Sequence, residues 1–374
     1  MEGFQKGEHL KVAFDEQVFL LQQYGGISRY LCNLAQCLSA MPNVSVQVSA
    51  PLHINRNLAE LSDVSGSRYF LPHLDTKFTR PVRALSHFLS GMAIKRFRPD
   101  ILHETYYRKS RRLPGVRHVL TVYDLIHERF GHMFENSHMT SGPKKAAALR
   151  ADHVICISES TRRDLIAICG VPEEKTSVIY LGADLAFLNA RPAINLITRP
   201  YLLYVGKRDG YKNFAGFLRA FVTSSCLKST FDIVCFGGGA FTEAELSLAC
   251  ELGLSPEQMS HRIGSDQTLA DLYGGAQVFV YPSLYEGFGI PPLEAMAADC
   301  PVCCSNTSSI PEVVGKAGEY FDPTCPESMT AAIEAVAFSE IRRADLVVLG
   351  RKQLSRFSWE KCAQETEILY RKLL

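Results

Sequence analysis

The segment Gln277–Ala298, QVFVYPSLYEGFGIPPLEAMAA, reads as a buried strand, a glycine turn and a helix in succession. Its opening apolar run does not alternate, as expected of a strand covered on both faces of a parallel sheet. Glu286-Gly287-Phe288-Gly289 then breaks the run, and Pro291-Pro292 pre-set the first turn of a helix. Glycines let the backbone approach a ligand closely, and a helix N-terminus presents N–H groups suited to phosphate. Glu286 precedes that terminus and Glu294 lies about one turn inside it. One carboxylate is placed to hold sugar hydroxyls and the other a ribose diol.

The same alternation runs outward in both directions. KVAFDEQVF, VSVQVSA, DILH, HVLTVY, HVICIS and SVIYL read as strands of a first series, with helical stretches such as 28–40 and 161–168 between them. ARPAINLITRP (190–200) reads as a linker. YLLYVG, FDIVCFGGG, MSHRIG, QVFVYPS and PVCCS form a second series, and the tail from about Asp345 is helical in pattern. The expectation is an α/β chain of two Rossmann-like, doubly wound domains facing a central cleft. Residues 1–190 form the first, 191–354 the second, and a helix at about 355–374 returns to the first. Ligands of such sheets bind at strand C-terminal ends, so the chemistry belongs to the loops that follow strands.

Composition narrows the class. Of 374 residues, 47% are apolar and 21% charged, with net charge +1, which is ordinary globular usage. No apolar run approaches a membrane span, and MEGFQKGEHLK has no signal-peptide core. The twelve cysteines sit in apolar contexts, as in HVICIS and DIVCFG, and Cys300-Pro-Val-Cys303 has no second pair. They read as small hydrophobes in a reducing, cytoplasmic compartment. Residues 1–190 carry 23 Lys and Arg against 18 Asp and Glu, which points to an anionic partner there.

The remaining candidates follow strands. In YVGKRDGYKNF (204–214), Gly206 ends a strand and Lys207, Arg208 and Lys212 precede a helix. Arg208 offers a bidentate fork and Lys212 a point charge. Gly25-Gly26 forms a turn before a helix. Asp124 and His127 in TVYDLIHERF follow another strand, as do His103 and Glu104 after DILH. No D-x-D triplet or Walker A motif occurs, and HERFGH (127–132) is one residue too long for a zinc helix. Thr76–Arg117 contains eleven Lys and Arg and two acidic residues, and 79–97 reads as a basic amphipathic helix suited to an anionic membrane surface. No nucleic-acid module appears, and nucleic acid is not expected as a partner.

Glu286 and Glu294 match the E-x7-E motif of retaining GT-B glycosyltransferases, and the chain resembles glycosyltransferase family 4. GGISRY (25–30), YVGKRDGYKNF (204–214), CFGGGAF (235–241), RIGSDQTLADLYGGAQVFVYPS (262–283), SNTSSIPEVVGKAGEYFDP (305–323) and FSWEKCAQET (357–366) carry the likeness in order. The resemblance implies that Arg208 and Lys212 hold the donor diphosphate, with Lys207 as the alternative to Arg208. It implies that Gly25-Gly26 closes over the phosphates, and that Gly206, Gly287, Phe288, Gly289, Ile290 and Glu294 bind the donor. It also implies that Gly264, Ser265 and Asp266 frame the base, with backbone contacts from Ile263. Many family members have a histidine directly before Asp124. This chain has Tyr123 there, so either His127 substitutes or Asp124 orients the acceptor hydroxyl.

The implied activity is retaining, metal-independent transfer from a nucleotide sugar to a glycan or lipid-linked acceptor. GDP-mannose is the favoured donor, O-antigen or exopolysaccharide synthesis the favoured setting, and the inner membrane face the favoured place. A GT-B sugar-nucleotide epimerase and an inactive nucleotide-sugar-binding relative remain as alternatives.

Overall fold

The computed structural model describes residues 9–61, 64–66, 69–72, 79–108, 112–183, 199–208 and 210–374. The expected linker at 190–200 lies almost wholly outside them. Two units emerge, one of Met1–Gly182 with Trp359–Leu374 and one of Ala183–Ser358.

The first unit holds β1 (Leu10–Phe14), β2 (Val44–Val48), β3 (Leu52–His53), β4 (Tyr69–Phe70), β5 (Ile101–Glu104), β6 (Arg117–Val122), β7 (His153–Cys156) and β8 (Thr176–Val178). Six of these form a parallel sheet in the order β2-β1-β5-β6-β7-β8, and β3 pairs with β4. The second unit holds β9 (Tyr201–Val205), β10 (Asp232–Phe236), β11 (Met259–Arg262), β12 (Val278–Tyr281), β13 (Val302–Ser305) and β14 (Gly318–Phe321). They form a parallel sheet in the order β11-β10-β9-β12-β13-β14. The strands stay parallel, but the order in which they are added reverses between β1 and β5 in one sheet and between β9 and β12 in the other. Those two switch points open crevices at the strands' C-terminal ends.

Periodicity explains the layers. In the helix Phe214–Thr223, Phe214, Phe217, Leu218 and Phe221 recur on one face and are buried against Leu202, Ile233 and Val280. The final helix Trp359–Leu373 is part of the first unit, where Tyr370 Oη meets His103 Nδ1 at 2.5 Å. A Cβ on Gly182 would lie 2.5 Å from the Trp359 nitrogen, so the two chain segments touch through a glycine.

Several expected elements differ. KVAFDEQVF is a strand only to Phe14, because Asp15 turns back to accept from the Gln17 and Thr105 N–H groups. The helix expected at 28–40 spans Gly26–Ser39, and that at 161–168 is Glu159–Asp164 followed by a π turn. The tail is two helices, Glu340–Leu354 and Trp359–Leu373. All twelve cysteines are free, and burial pushes the Cys300, Cys303 and Cys304 thiols up. Among the described residues no helix is long and apolar enough to cross a membrane.

His103 and Glu104 lie within β5 rather than after it, and both are buried by structural partners. His103 Nε2 meets Thr121 Oγ1 at 2.8 Å. Glu104 binds His118 at 2.8 Å and Arg150 at 2.6 Å. Neither is an acceptor-side candidate in this fold. Burial pushes the His103 imidazolium down to about 3, against a partial opposing effect from Glu104. Folded His103 therefore stays neutral while the unfolded residue protonates below its ordinary value. Its contribution to stability is intact above about pH 6.5 and shrinks as pH falls, by about 2 kcal/mol at pH 5. Thermal melts at pH 7 and pH 5 check this, and His103→Gln should flatten that part of the slope.

Candidate functional site

Three loops meet at the second switch point. After β9, Gly206 has φ +118°, Lys207 is exposed, and the turn Gly210–Lys212 leads to Asn213. Asn213 Nδ2 donates to the Pro282 and Pro323 carbonyls at 3.1 and 2.8 Å, and Leu284 N–H donates to Tyr211 O at 2.7 Å. These bonds lash the loop after β9 to the loop after β12. Lys212 Nζ consequently lies 2.6 Å from Glu286 Oε1, with the Tyr211 and Tyr281 rings at 5.2 and 6.0 Å.

Behind Glu286 the chain turns into the helix Ile290–Ala297, with Gly289 at φ +109° as its cap. That left-handed conformation favours glycine. Glu286 N–H donates to Ser308 Oγ at 2.9 Å, and Ser309 Oγ lies 2.9 Å from the Glu286 and Phe288 carbonyls. Phe288 is buried against Phe357, so Gly287 and Phe288 fix the turn. Glu294 is buried one turn into the helix and accepts from Tyr273 Oη at 3.3 Å. A cation, two carboxylates and a helix N-terminus are thus assembled by one sheet.

Arg208 departs from the sequence expectation. Its side chain is 2% exposed, and its guanidinium donates to Glu245 at 2.8 Å and to the Gly237, Gly239 and Ala240 carbonyls at 2.8–3.0 Å. It sits 4.8 Å from the Phe241 ring. Four of its five N–H groups are engaged within the protein, whereas Lys207 is exposed and Lys212 pairs with Glu286. Arg208 instead holds the glycine turn after β10 against the loop after β9. A Cβ on Gly238 would meet Gly206 O at 2.6 Å.

At the end of β11, Ile263 is 75% exposed and Ser265 caps the helix Asp266–Gly275. Asp124 and His127 belong to the other unit. Asp124 accepts from Ile126 N–H at 3.1 Å; His127 packs on Phe134 at 4.6 Å, its Nδ1 buried without a partner among the described residues. Lys144, which the sequence did not single out, is buried beneath them. Its Nζ donates to Asp124 O at 2.8 Å and to Glu128 at 2.9 Å. A lysine in a polar helix stretch reads as solvated, and only the tertiary fold shows otherwise. Gly25-Gly26 opens the helix Gly26–Ser39, and a Cβ on Gly26 would meet nothing within 4 Å. Among the described residues no three His, Cys, Asp or Glu side chains cluster as a metal site.

Residues 24–187 match the family model described as Glycosyltransferase Family 4, and residues 189–353 match the one described as Glycosyl transferases group 1. O-antigen chain mannosyltransferase B of Escherichia coli is 31% identical over 231 residues, 59% of this chain and 60% of that relative's length. Sucrose-phosphate synthase from Thermosynechococcus elongatus has a similar structure, with TM-score 0.76 at 21% identity over 97% of this chain and 99% of that one. Anabaena Alr3699/HepE, solved in complex with UDP-glucose, gives 0.72 at 15% over 96% and 99%.

Proposed function

The chain belongs to glycosyltransferase family 4 and has the GT-B fold, and from that premise we propose that it transfers mannose from GDP-mannose to a glycan or lipid-linked acceptor. The observation that carries the donor site is the Lys212–Glu286 pair, 2.6 Å apart at the second switch point beside a helix N-terminus. Mannose is supported by the VGKRDGYKNF tract and by the name of the E. coli relative. The same relative supports a setting in O-antigen or related cell-surface polysaccharide synthesis.

In this reading Lys212 and the exposed Lys207 face the donor diphosphate, with Gly206, Gly289 and Ile290 giving it close backbone approach. Glu286, with Gly287 and Phe288 behind it, positions the sugar. Glu294 holds the ribose, and the Ile263 backbone borders the base. Arg208 positions the glycine turn. Gly25 and Gly26 border the phosphates, and Asp124 or His127 orients the acceptor hydroxyl.

As the C1–O bond to the diphosphate breaks, positive charge grows on the sugar and negative charge on the leaving group, where Lys212 is placed to stabilise it. The acceptor oxygen attacks from the same face. Its proton passes to a departing phosphate oxygen, and the anomeric configuration is retained. An NMR assignment of the product's new linkage tests this, since an inverted centre rules the same-face step out.

No metal is required in this scheme, because lysines and the helix terminus meet the diphosphate. Transfer should be unchanged by EDTA; activity abolished by EDTA and restored by manganese contradicts it. The same reading has the enzyme work at the inner face of the membrane, which an exposed apolar and basic helix face supports. Leu85, Phe88 and Met92 are 51%, 62% and 47% exposed on the helix Thr79–Phe97, among exposed Arg80, Lys95 and Arg96. Flotation with liposomes should require anionic lipid, and recovery independent of lipid charge removes the membrane from the scheme.

A further inference from the structure

β13 ends in the run Ser305-Asn306-Thr307-Ser308-Ser309, with hydroxyls at four of its five positions. The run lies along the loop after β12 and bonds to it almost residue by residue. Ser305 Oγ donates to Tyr281 O at 3.3 Å, and Thr307 Oγ1 to Leu284 O at 3.1 Å. Ser308 Oγ accepts from Glu286 N–H, and the buried Ser309 Oγ faces the Glu286 and Phe288 carbonyls, all at 2.9 Å. Asn306 N–H donates to Phe321 O at 2.9 Å, which ties the run back to β14. Serine hydroxyls thus hold both backbone polar groups of Glu286, while Lys212 meets its carboxylate at 2.6 Å.

Ser308 is strained in doing this. Its φ is +54°, in the left-handed region where a Cβ crowds the backbone and glycine is favoured. Of the five non-glycine residues with positive φ among the described residues, three are Asn or Asp, whose short polar side chains ease that conformation. Serine is not among the residues that favour it. The loops after β10 and β12 enter the same region at glycines, Gly237 and Gly289. Glycine at 308 would relieve the backbone but would leave the Glu286 N–H without its acceptor. Strain kept beside a binding loop points to a group retained for what it holds.

We propose that Ser308, backed by Ser309, is a positioning residue: its hydroxyl fixes the Glu286 backbone so that the carboxylate is aimed at the hydroxyls of the donor sugar. Resting on the donor-site reading, this role places a requirement for sugar binding outside the loop that carries Glu286. Glu286 meets the sugar and not the nucleotide. Loss of the Ser308 hydroxyl is therefore felt by a nucleotide sugar and not by the nucleoside diphosphate alone.

Calorimetric titration of the full chain, with GDP against GDP-mannose and UDP against UDP-glucose, tests this role in Ser308→Gly. For a pair that the wild-type chain binds, the variant should bind the nucleotide sugar about tenfold more weakly and the nucleoside diphosphate within about twofold of wild type. The Glu286 amide should exchange faster than in wild type, while Leu284 N–H, bonded to Tyr211 O, should stay as slow. Ser308→Ala removes the hydroxyl and keeps the strain, so the same split should appear there at a lower melting point than in Ser308→Gly. Equal weakening of both members of a pair, or of neither, overturns the proposal in either variant, as does an unchanged Glu286 amide. A wild-type chain that binds none of the four ligands overturns the donor-site reading and this role with it. Binding by the wild-type chain with no split in the variants strikes Ser308 alone.

Discussion

Lys212→Ala should lower kcat by about 10²- to 10³-fold, the loss typical when one fixed group that stabilises transition-state charge is removed. Lys212 is the cation that the fold places directly between the loops after β9 and β12, 2.6 Å from Glu286. Its charge matters most when the diphosphate departs, so kcat and kcat/KM should fall together. The side chain is 21% exposed and Glu286 10%, so the unpaired carboxylate lowers stability by only about 1–3 kcal/mol. A normal circular dichroism spectrum with a melting point lower by a few degrees separates loss of chemistry from loss of fold. A variant with kcat within twofold of wild type removes Lys212 from the reaction. Arg208→Ala acts differently: it frees the Gly237–Ala240 turn from its anchor, and its damage should appear in thermal stability as well as in rate.

Glu294→Ala should raise donor KM by about 10- to 100-fold and leave kcat near its wild-type value. A buried carboxylate accepting two ribose hydroxyls contributes about 1.5–3 kcal/mol for a charged hydrogen bond, equally in ground state and transition state. Glu294 has the burial this requires and accepts from Tyr273 Oη at a long 3.3 Å. Tyr273 Oη is also 3.3 Å from Pro291 O, so the tyrosine is not orphaned and the fold should tolerate the change. Initial rates over a wide donor range decide it. A kcat effect with unchanged KM places Glu294 at the reacting centre instead.

Much of this architecture was legible in the chain. Each strand that matters is a short apolar run ended by glycine or a turn; Lys212 and Glu286 lie in the loops beyond such ends, and Glu294 in the helix that follows Glu286. Sequence distance was the limit. Arg208 reads as a free cation because its partners, Glu245 and the carbonyls of residues 237–240, lie some thirty residues on and meet it only through the pairing of β9 with β10. His103 and Glu104 were misplaced because DILH gives no sign that the strand continues through Glu104, into contact with Tyr370 and Arg150. Lys144 carried no local signal at all. The basic helix at 79–97 was legible as a surface feature.

The most direct test of the donor site is a thermal-shift panel of GDP, UDP, ADP, CMP and NAD, with and without magnesium. A ligand at about 100-fold its Kd adds ~2.7 kcal/mol, enough to move the melting point by several degrees. The expected result is a shift with one nucleoside diphosphate, GDP before the others, that does not depend on magnesium. A shift with NAD alone, or none with any nucleoside diphosphate, contradicts a donor site built on Lys212, Glu286 and Glu294.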